Sequence, residues 1–204
     1  MANRHQGPAG LLLVISGPSG AGKTTIAREV EQRLGGVFSV SVTTRPKTAS
    51  DIEGRDYYFL SDREFAARRD AGDLLEWAEV FGKYKYGTPR KPVEQLLAEG
   101  RLVILEIDVQ GGIQVKNKMP DAFMVFVLPP SDDELLNRLR RRGRDSEEAI
   151  QRRFAVAKGE MQTARASGAY DEFIVNDDLE QTIEKACELV QRRRGMAWQA
   201  RGCA

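Results

Sequence analysis

Gly17-Pro18-Ser19-Gly20-Ala21-Gly22-Lys23-Thr24 is the stretch that decides the fold. It fits G-x-x-x-x-G-K-[ST], a loop whose glycines let successive backbone N–H groups turn inward onto phosphate oxygens. The apolar run before it, residues 11–16, reads as a short buried strand. Residues 25–34 after it read as a helix with Ile26, Val30 and Leu34 on one face. Strand, glycine loop and helix in that order put the phosphates at the positive end of a helix dipole. Lys23 then carries charge to the outer phosphates, and the Thr24 hydroxyl suits Mg²⁺. These residues imply binding of a nucleoside triphosphate.

Outward from the loop, strands and helices alternate. Residues 37–43 alternate like a strand. Ser61-Asp62-Arg63-Glu64 is a capping box opening a helix through Ala71, with Gly72 as its stop. Pro92 sits at the start of a helix carrying Val93, Leu96 and Leu97, which Gly100 ends. Leu102-Val103-Ile104-Leu105 and residues 123–128 are continuous apolar runs, as expected of strands buried on both faces of a parallel sheet. Ser131-Asp132-Asp133-Glu134 caps a helix that runs into an arginine cluster and stops at Gly143. A second helix starts after Ser146, and a strand at Phe173-Ile174-Val175 precedes a long helix over residues 178–196. The pattern predicts a doubly wound α/β protein with a parallel sheet. Residues 41–99 are more polar and more aromatic, which suggests an inserted lobe.

Composition narrows the partners. With 31 basic and 30 acidic residues among 204, the formal net charge is +1, so no global field points to nucleic acid or a membrane surface. Arginine is crowded locally at Arg138, Arg140, Arg141, Arg142 and Arg144, and again at residues 192–194, but without the interleaved aromatics of a nucleic-acid surface. Two cysteines, Cys187 and Cys203, make no disulfide framework and fit a reducing, cytoplasmic setting. Cys187 is in phase with Leu179, Ile183 and Val190, as a small core residue. No apolar run reaches the ~20 residues of a membrane helix, and residues 1–10 lack the apolar segment of a signal peptide. The single histidine, His5, lies in that stretch, which reads as a tail, so a catalytic histidine is not expected.

Further segments carry a resemblance. Ile15-Ser16-Gly17-Pro18-Ser19-Gly20 is followed by Phe38-Ser39-Val40-Ser41-Val42-Thr43-Thr44-Arg45, Gly54-Arg55-Asp56-Tyr57, Leu75-Glu76-Trp77-Ala78 and Tyr86-Gly87-Thr88. Ile107-Asp108-Val109-Gln110-Gly111 and Ile174-Val175-Asn176-Asp177-Asp178 complete the set. In this order they resemble the guanylate kinases, nucleoside monophosphate kinases that move the γ-phosphate of ATP to GMP, over roughly residues 11–195. The resemblance implies a P-loop NTPase-type core (residues 11–40, 100–130 and 166–195), a GMP-binding lobe (41–99) and a helical lid (131–165). Residues 1–10 and 196–204 would be tails.

The same resemblance implies the site. ATP would lie on Gly17, Pro18, Ser19, Gly20, Ala21, Gly22, Lys23, Thr24 and Thr25, with Mg²⁺ on Thr24 and the phosphates clamped by Lys23, Arg138, Arg142 and Arg153. Arg138 and Arg142 are four residues apart on one helix and share a face. The guanine edge, with its N1–H and N2–H donors, would be read by Glu76, helped by Thr88 and Glu106. Arg45, Tyr57, Tyr86 and Ser41 would hold GMP and its phosphate. Asp108 would either hold a metal-bound water or contact the acceptor nucleotide. The acceptor oxygen is already anionic at neutral pH, so no general base is required. Two departures from the family pattern stand out. Thr48 occupies the usual place of a second phosphate arginine, with Lys47 beside it, and the stretch from Gly82 to Tyr86 is one residue longer. Two other readings compete: a phosphate-loop kinase for a different nucleotide or small metabolite, and a non-catalytic binding domain, against which the intact loop argues. No surface pattern marks an interface, leaving monomer or homodimer open.

Overall fold

In a computed structural model the chain is described over residues 10–80, 83–141 and 146–202, with 196–202 as backbone only. Five parallel strands form the central sheet: β1 (Leu11–Ser16), β2 (Val37–Phe38), β7 (Leu102–Glu106), β8 (Phe123–Leu128) and β9 (Glu172–Val175). Their order is β2-β7-β1-β8-β9. Alternate residues of each strand point to opposite faces, and the apolar runs supply both. Leu11, Leu13, Ile15, Ile104, Val125 and Val127 pack on one side with Ile26 and Val30 of α1 (Lys23–Leu34) and Ile183 and Val190 of α7 (Leu179–Gly202). Leu12, Val14, Val103, Leu105, Met124 and Phe126 pack on the other. There they meet Val93 of α3 (Arg90–Ala98), Val115 of α4 (Val109–Lys118) and Ala164 of α6 (Glu147–Ser167). Full burial of each large apolar side chain here contributes about 1.5–3 kcal/mol before entropy is counted. The doubly wound α/β expectation holds for the structure.

β1 lies between β7 and β8, where the winding reverses: the first crossover leads to β2 on one side, while the crossover from β7 to β8 passes β1 to the other. Ligands in open α/β sheets bind beyond the strand C-termini at such a point. The loop at residues 17–22 sits there.

A second sheet, order β4-β3-β6-β5, comprises β3 (Val42–Thr43), β4 (Tyr58–Phe59), β5 (Leu74–Val80) and β6 (Tyr84–Pro89). Together with α2 (Asp62–Asp70) it encloses a small core of Val42, Phe65 and Leu74, flanked by Leu60 and Trp77. Residues 37–43 were expected as one strand and are two. Val37 and Phe38 pair with Val103 and Ile104, whereas Val42 and Thr43 pair with β4 and β6. The alternation is real, but its two ends are held by different sheets. α3 lies within the 41–99 stretch, yet its Val93 packs in the main core.

The capping box at Ser61 forms as expected, with both reciprocal bonds to Glu64 present. α5 (Asp132–Arg141) and α6 pack on each other through Leu135, Leu139, Ile150 and Ala157. The end of α5 expected at Gly143 lies outside the described residues. α7 continues to Gly202, past the end expected at Met196. Cys187 is buried as expected, but Leu179, the first residue of that helix, is 42 % exposed. No helix among the described residues is long and apolar enough to cross a membrane.

Candidate active site

α1 begins without a side-chain cap. α2, α5 and α6 are capped by Ser61, Ser131 and Ser146, whose hydroxyls each accept from the backbone N–H three residues on. α1 starts at Gly22, which has no side chain to accept, and no acidic residue lies in the first turn. Its leading N–H groups are therefore presented to the loop rather than satisfied by a side chain. Lys23 Nζ donates to Pro18 O at 3.1 Å, curling the lysine back over the loop.

Asn176, buried at the end of β9, supports this loop from below. Its side-chain amide donates to Ala21 O at 2.8 Å, and its backbone N–H donates to Leu128 O at the end of β8. Gly22 has φ +93°, and a Cβ there would lie 2.3 Å from Asn176 Nδ2. Glycine is thus required twice over, by conformation and by space.

A cavity of about 420 Å³ opens over the loop, lined by Gly17, Ser19, Gly20, Gly22, Lys23, Thr24, Thr25, Glu106, Ile107, Asp108 and Glu160. Thr24 Oγ1 donates to Glu106 Oε1 at 2.6 Å, tying the loop to the end of β7. Asp108 Oδ1 accepts from Gly111 N at 2.8 Å as the N-cap of α4. A second cleft, about 460 Å³, runs between β2, β7 and the second sheet and includes Ser41, Tyr57 and Thr88. Glu106 and Ile107 line both.

In the second sheet, Glu76 of β5 pairs across the strands with Thr88 of β6. Glu76 is only 5 % exposed, and Thr88 Oγ1 donates to its Oε1 at 2.6 Å. Burial pushes its carboxyl up to about 7, with the Thr88 bond acting in the opposite direction and Asp108 adding to the rise. A carboxylate kept this dry needs donors, and a ligand bearing two N–H groups could supply them. Arg45 is held as a fork by Asp51, with Nη1–Oδ2 and Nη2–Oδ1 both 3.0 Å. That guanidinium, followed by donors from Thr48, holds the Asp51 carboxyl well below the usual carboxylate range. Thr48 gives Asp51 both its N–H and its hydroxyl, each at 2.7 Å. Arg45 also lies 5.4 Å from the ring centres of Tyr57 and Phe59. Tyr57 and Tyr86 meet edge to face at 5.7 Å, and burial raises the Tyr57 phenol, which keeps it a donor.

On the far side, Arg138 Nε donates to Glu134 at 2.8 Å and Nη2 donates to Asn176 O at 3.0 Å. The α5 arginine and the phosphate loop thereby share Asn176. Arg153 is half-buried on α6, and Arg142 lies outside the described residues.

Three residues of interest were not singled out from the sequence. Glu160 faces the phosphate cavity from α6, its carboxyl raised by burial and opposed by Lys23. A signal exists: Ile150, Ala157 and Ala164 mark the buried face seven residues apart, and Glu160 follows Ala157 by three, near that face. Asn176 lies within the 174–178 segment, whose order in sequence gives it no role. Gln114 had no signal, because its partner is backbone.

A phosphate loop at the switch point of a parallel sheet, beside a lobe carrying a buried carboxylate, defines a phosphate-loop nucleotide kinase. The guanylate kinase family model matches residues 10–193. The guanylate kinase of Thermosynechococcus vestitus is 53% identical over 85% of this chain and 90% of its own length. That of Rhizobium etli is 51% identical over 91% of this chain and 83% of its own. The crystal structure of guanylate kinase from Anaplasma phagocytophilum superposes with a TM-score of 0.71 at 34% identity, covering 92% of this chain and 87% of that one. The chain belongs to the guanylate kinase family and is an enzyme of that family.

Proposed function

We propose that the chain transfers the γ-phosphoryl group of ATP to GMP, giving ADP and GDP, in the cytoplasm where both nucleotides are present. The observation that carries this is the sharing of Glu106 and Ile107 by two clefts, one over the phosphate loop and one under the lobe. Donor and acceptor phosphates would meet at that shared wall. The loop amides of residues 17–25 and Lys23 hold the ATP phosphates, and Arg138, Arg142 and Arg153 neutralise the group in flight. GMP lies in the second cleft. Glu76 accepts from the guanine N1–H and N2–H groups, with Thr88 and Glu106 beside it. Arg45, Tyr57, Tyr86 and Ser41 hold its phosphate, so Arg45 must turn part of its fork from Asp51 to GMP. Thr48 serves by orienting Asp51, and Lys47 supplies a point charge nearby.

Mg²⁺ fits the donor set: Thr24, Glu106 and Asp108 present hard oxygen atoms in one cavity. No cluster of three His, Cys, Asp or Glu side chains forms a metal cage among the described residues, which agrees with an ion that takes most of its ligands from phosphates and water. Thr24 would ligate it, with Asp108 reaching a bound water. When bound, it neutralises phosphate charge. The lobe centred on the second sheet and the α5–α6 lid close over the two nucleotides and exclude water.

The test is ADP release with Mg·ATP and GMP, AMP, UMP or CMP offered singly. Turnover with GMP alone is expected. Turnover with another monophosphate instead would remove Glu76 as the guanine reader, and none with any would leave a nucleotide-binding protein with a different acceptor.

A further inference from the structure

Within its sheet, β5 is an edge strand, and its open side faces helix α4 rather than another strand. Such an edge leaves backbone groups without partners. Here the side-chain amide of Gln114 takes both groups of one residue: Trp77 N donates to Gln114 Oε1 at 3.2 Å, and Gln114 Nε2 donates to Trp77 O at 2.9 Å. Lys118 Nζ donates to Leu74 O at 2.9 Å, further along the same edge. Gly111 lets the carboxylate approach the helix, since a Cβ there would lie 2.9 Å from Glu76 Oε2. Residues 111, 114 and 118 follow an i, i+3, i+7 spacing and form one face of α4. Successive side chains of a strand point to opposite sides. Trp77 therefore packs into the lobe's own core while Glu76 turns back toward α4.

We infer that Gln114 is a positioning residue for guanine recognition: its paired bonds to the Trp77 backbone fix the base-reading Glu76 to the core helix. This rests on the proposed role of Glu76. The lobe can then rotate to bring Arg45, Tyr57 and Tyr86 onto the acceptor phosphate while the base-reading carboxylate keeps its place beside α4. Asp108 caps the start of that same helix, so the base-reading carboxylate and the carboxylate facing the phosphate-loop cavity share one support.

The experiment is steady-state kinetics of Gln114→Leu and Gln114→Asn with GMP and with inosine monophosphate, which lacks the 2-amino group. Glu76→Gln is run in parallel, and the Asn variant, one methylene shorter, serves if the Leu variant does not fold. Loss of the paired bonds is expected to raise KM for GMP about tenfold. kcat and KM for ATP should stay within about twofold, and the preference for GMP over inosine monophosphate should narrow. A uniform loss in kcat and in both KM values, or no change, would overturn the positioning role. If Glu76→Gln loses the base preference while the Gln114 variants keep it, only the role of Gln114 falls. If all the variants keep it, the base-reading assignment falls too.

Discussion

The hydroxyl of Thr24, at the start of α1, donates a 2.6 Å hydrogen bond to the carboxylate of Glu106, at the end of β7. It links the phosphate loop to the wall of the acceptor cleft and fixes the direction of the Thr24 lone pairs. An oxygen oriented in this way is ready to meet a cation while its proton stays directed at Glu106. Partners of this kind typically change metal affinity by about 10–100-fold. Glu106→Gln is therefore expected to raise the Mg²⁺ concentration for half-maximal activity by that order, measured by metal titration at saturating ATP and GMP. An unchanged midpoint would separate Glu106 from the metal.

Lys23→Ala should reduce turnover by about 10²–10³-fold, the scale for removing one charge-stabilising donor from a phosphoryl-transfer site. GMP binding should survive, because the lysine lies in the loop cavity and outside the second cleft. Turnover and calorimetric GMP titration test both halves, and a wild-type kcat would sink the mechanism.

Glu76 makes stability depend on pH in a defined sense. Its carboxyl is raised by burial from 4.5 to about 7 in the folded chain, so between those values the folded state binds more protons than the unfolded one. The stabilisation is complete below about 4.5 and is lost as pH rises through about 7, about 3 kcal/mol in all. Denaturation of the ligand-free protein at pH 5 and pH 8 should show the decline, and Glu76→Gln should abolish it. GMP binding to the carboxylate form should release protons near pH 7, seen as a buffer-dependent binding enthalpy.

Asn176→Ala removes a buried donor from Ala21 O and leaves that carbonyl unpaired. The cost is about 1–3 kcal/mol in stability. The loop also loses its support beneath Gly22, so turnover should fall roughly tenfold to a hundredfold, with KM rising for ATP and not for GMP. Thermal denaturation and initial-rate kinetics would check the two effects, and equal changes in both KM values would contradict the assignment.

Much was legible from residue order because its causes are local. The glycine loop between an apolar strand and a helix requires only neighbours in sequence, and so do the Ser61 capping box and the apolar runs at β7 and β8. The β5–β6 hairpin was not singled out. Its stability comes from a cross-strand register and from α4, and the strand that carries Glu76 does not announce itself by alternation. Residues 37–43 misled for a related reason: a period of two says that side chains alternate, but not which sheet receives each end.

Residue order is enough for the nucleotide loop, the doubly wound core and the residue types available to the site, since hydrophobic period and turn chemistry act at short range. Tertiary structure alone decided how those residues are used. It buried Glu76 against Thr88 and Gly111, committed Arg45 to Asp51, brought Asn176 beneath Ala21 and set Glu160 in the cavity over the phosphate loop. Each of these is a matter of desolvation or of hydrogen bonding between groups distant along the chain, and those energies do not exist until the sheets and helices pack.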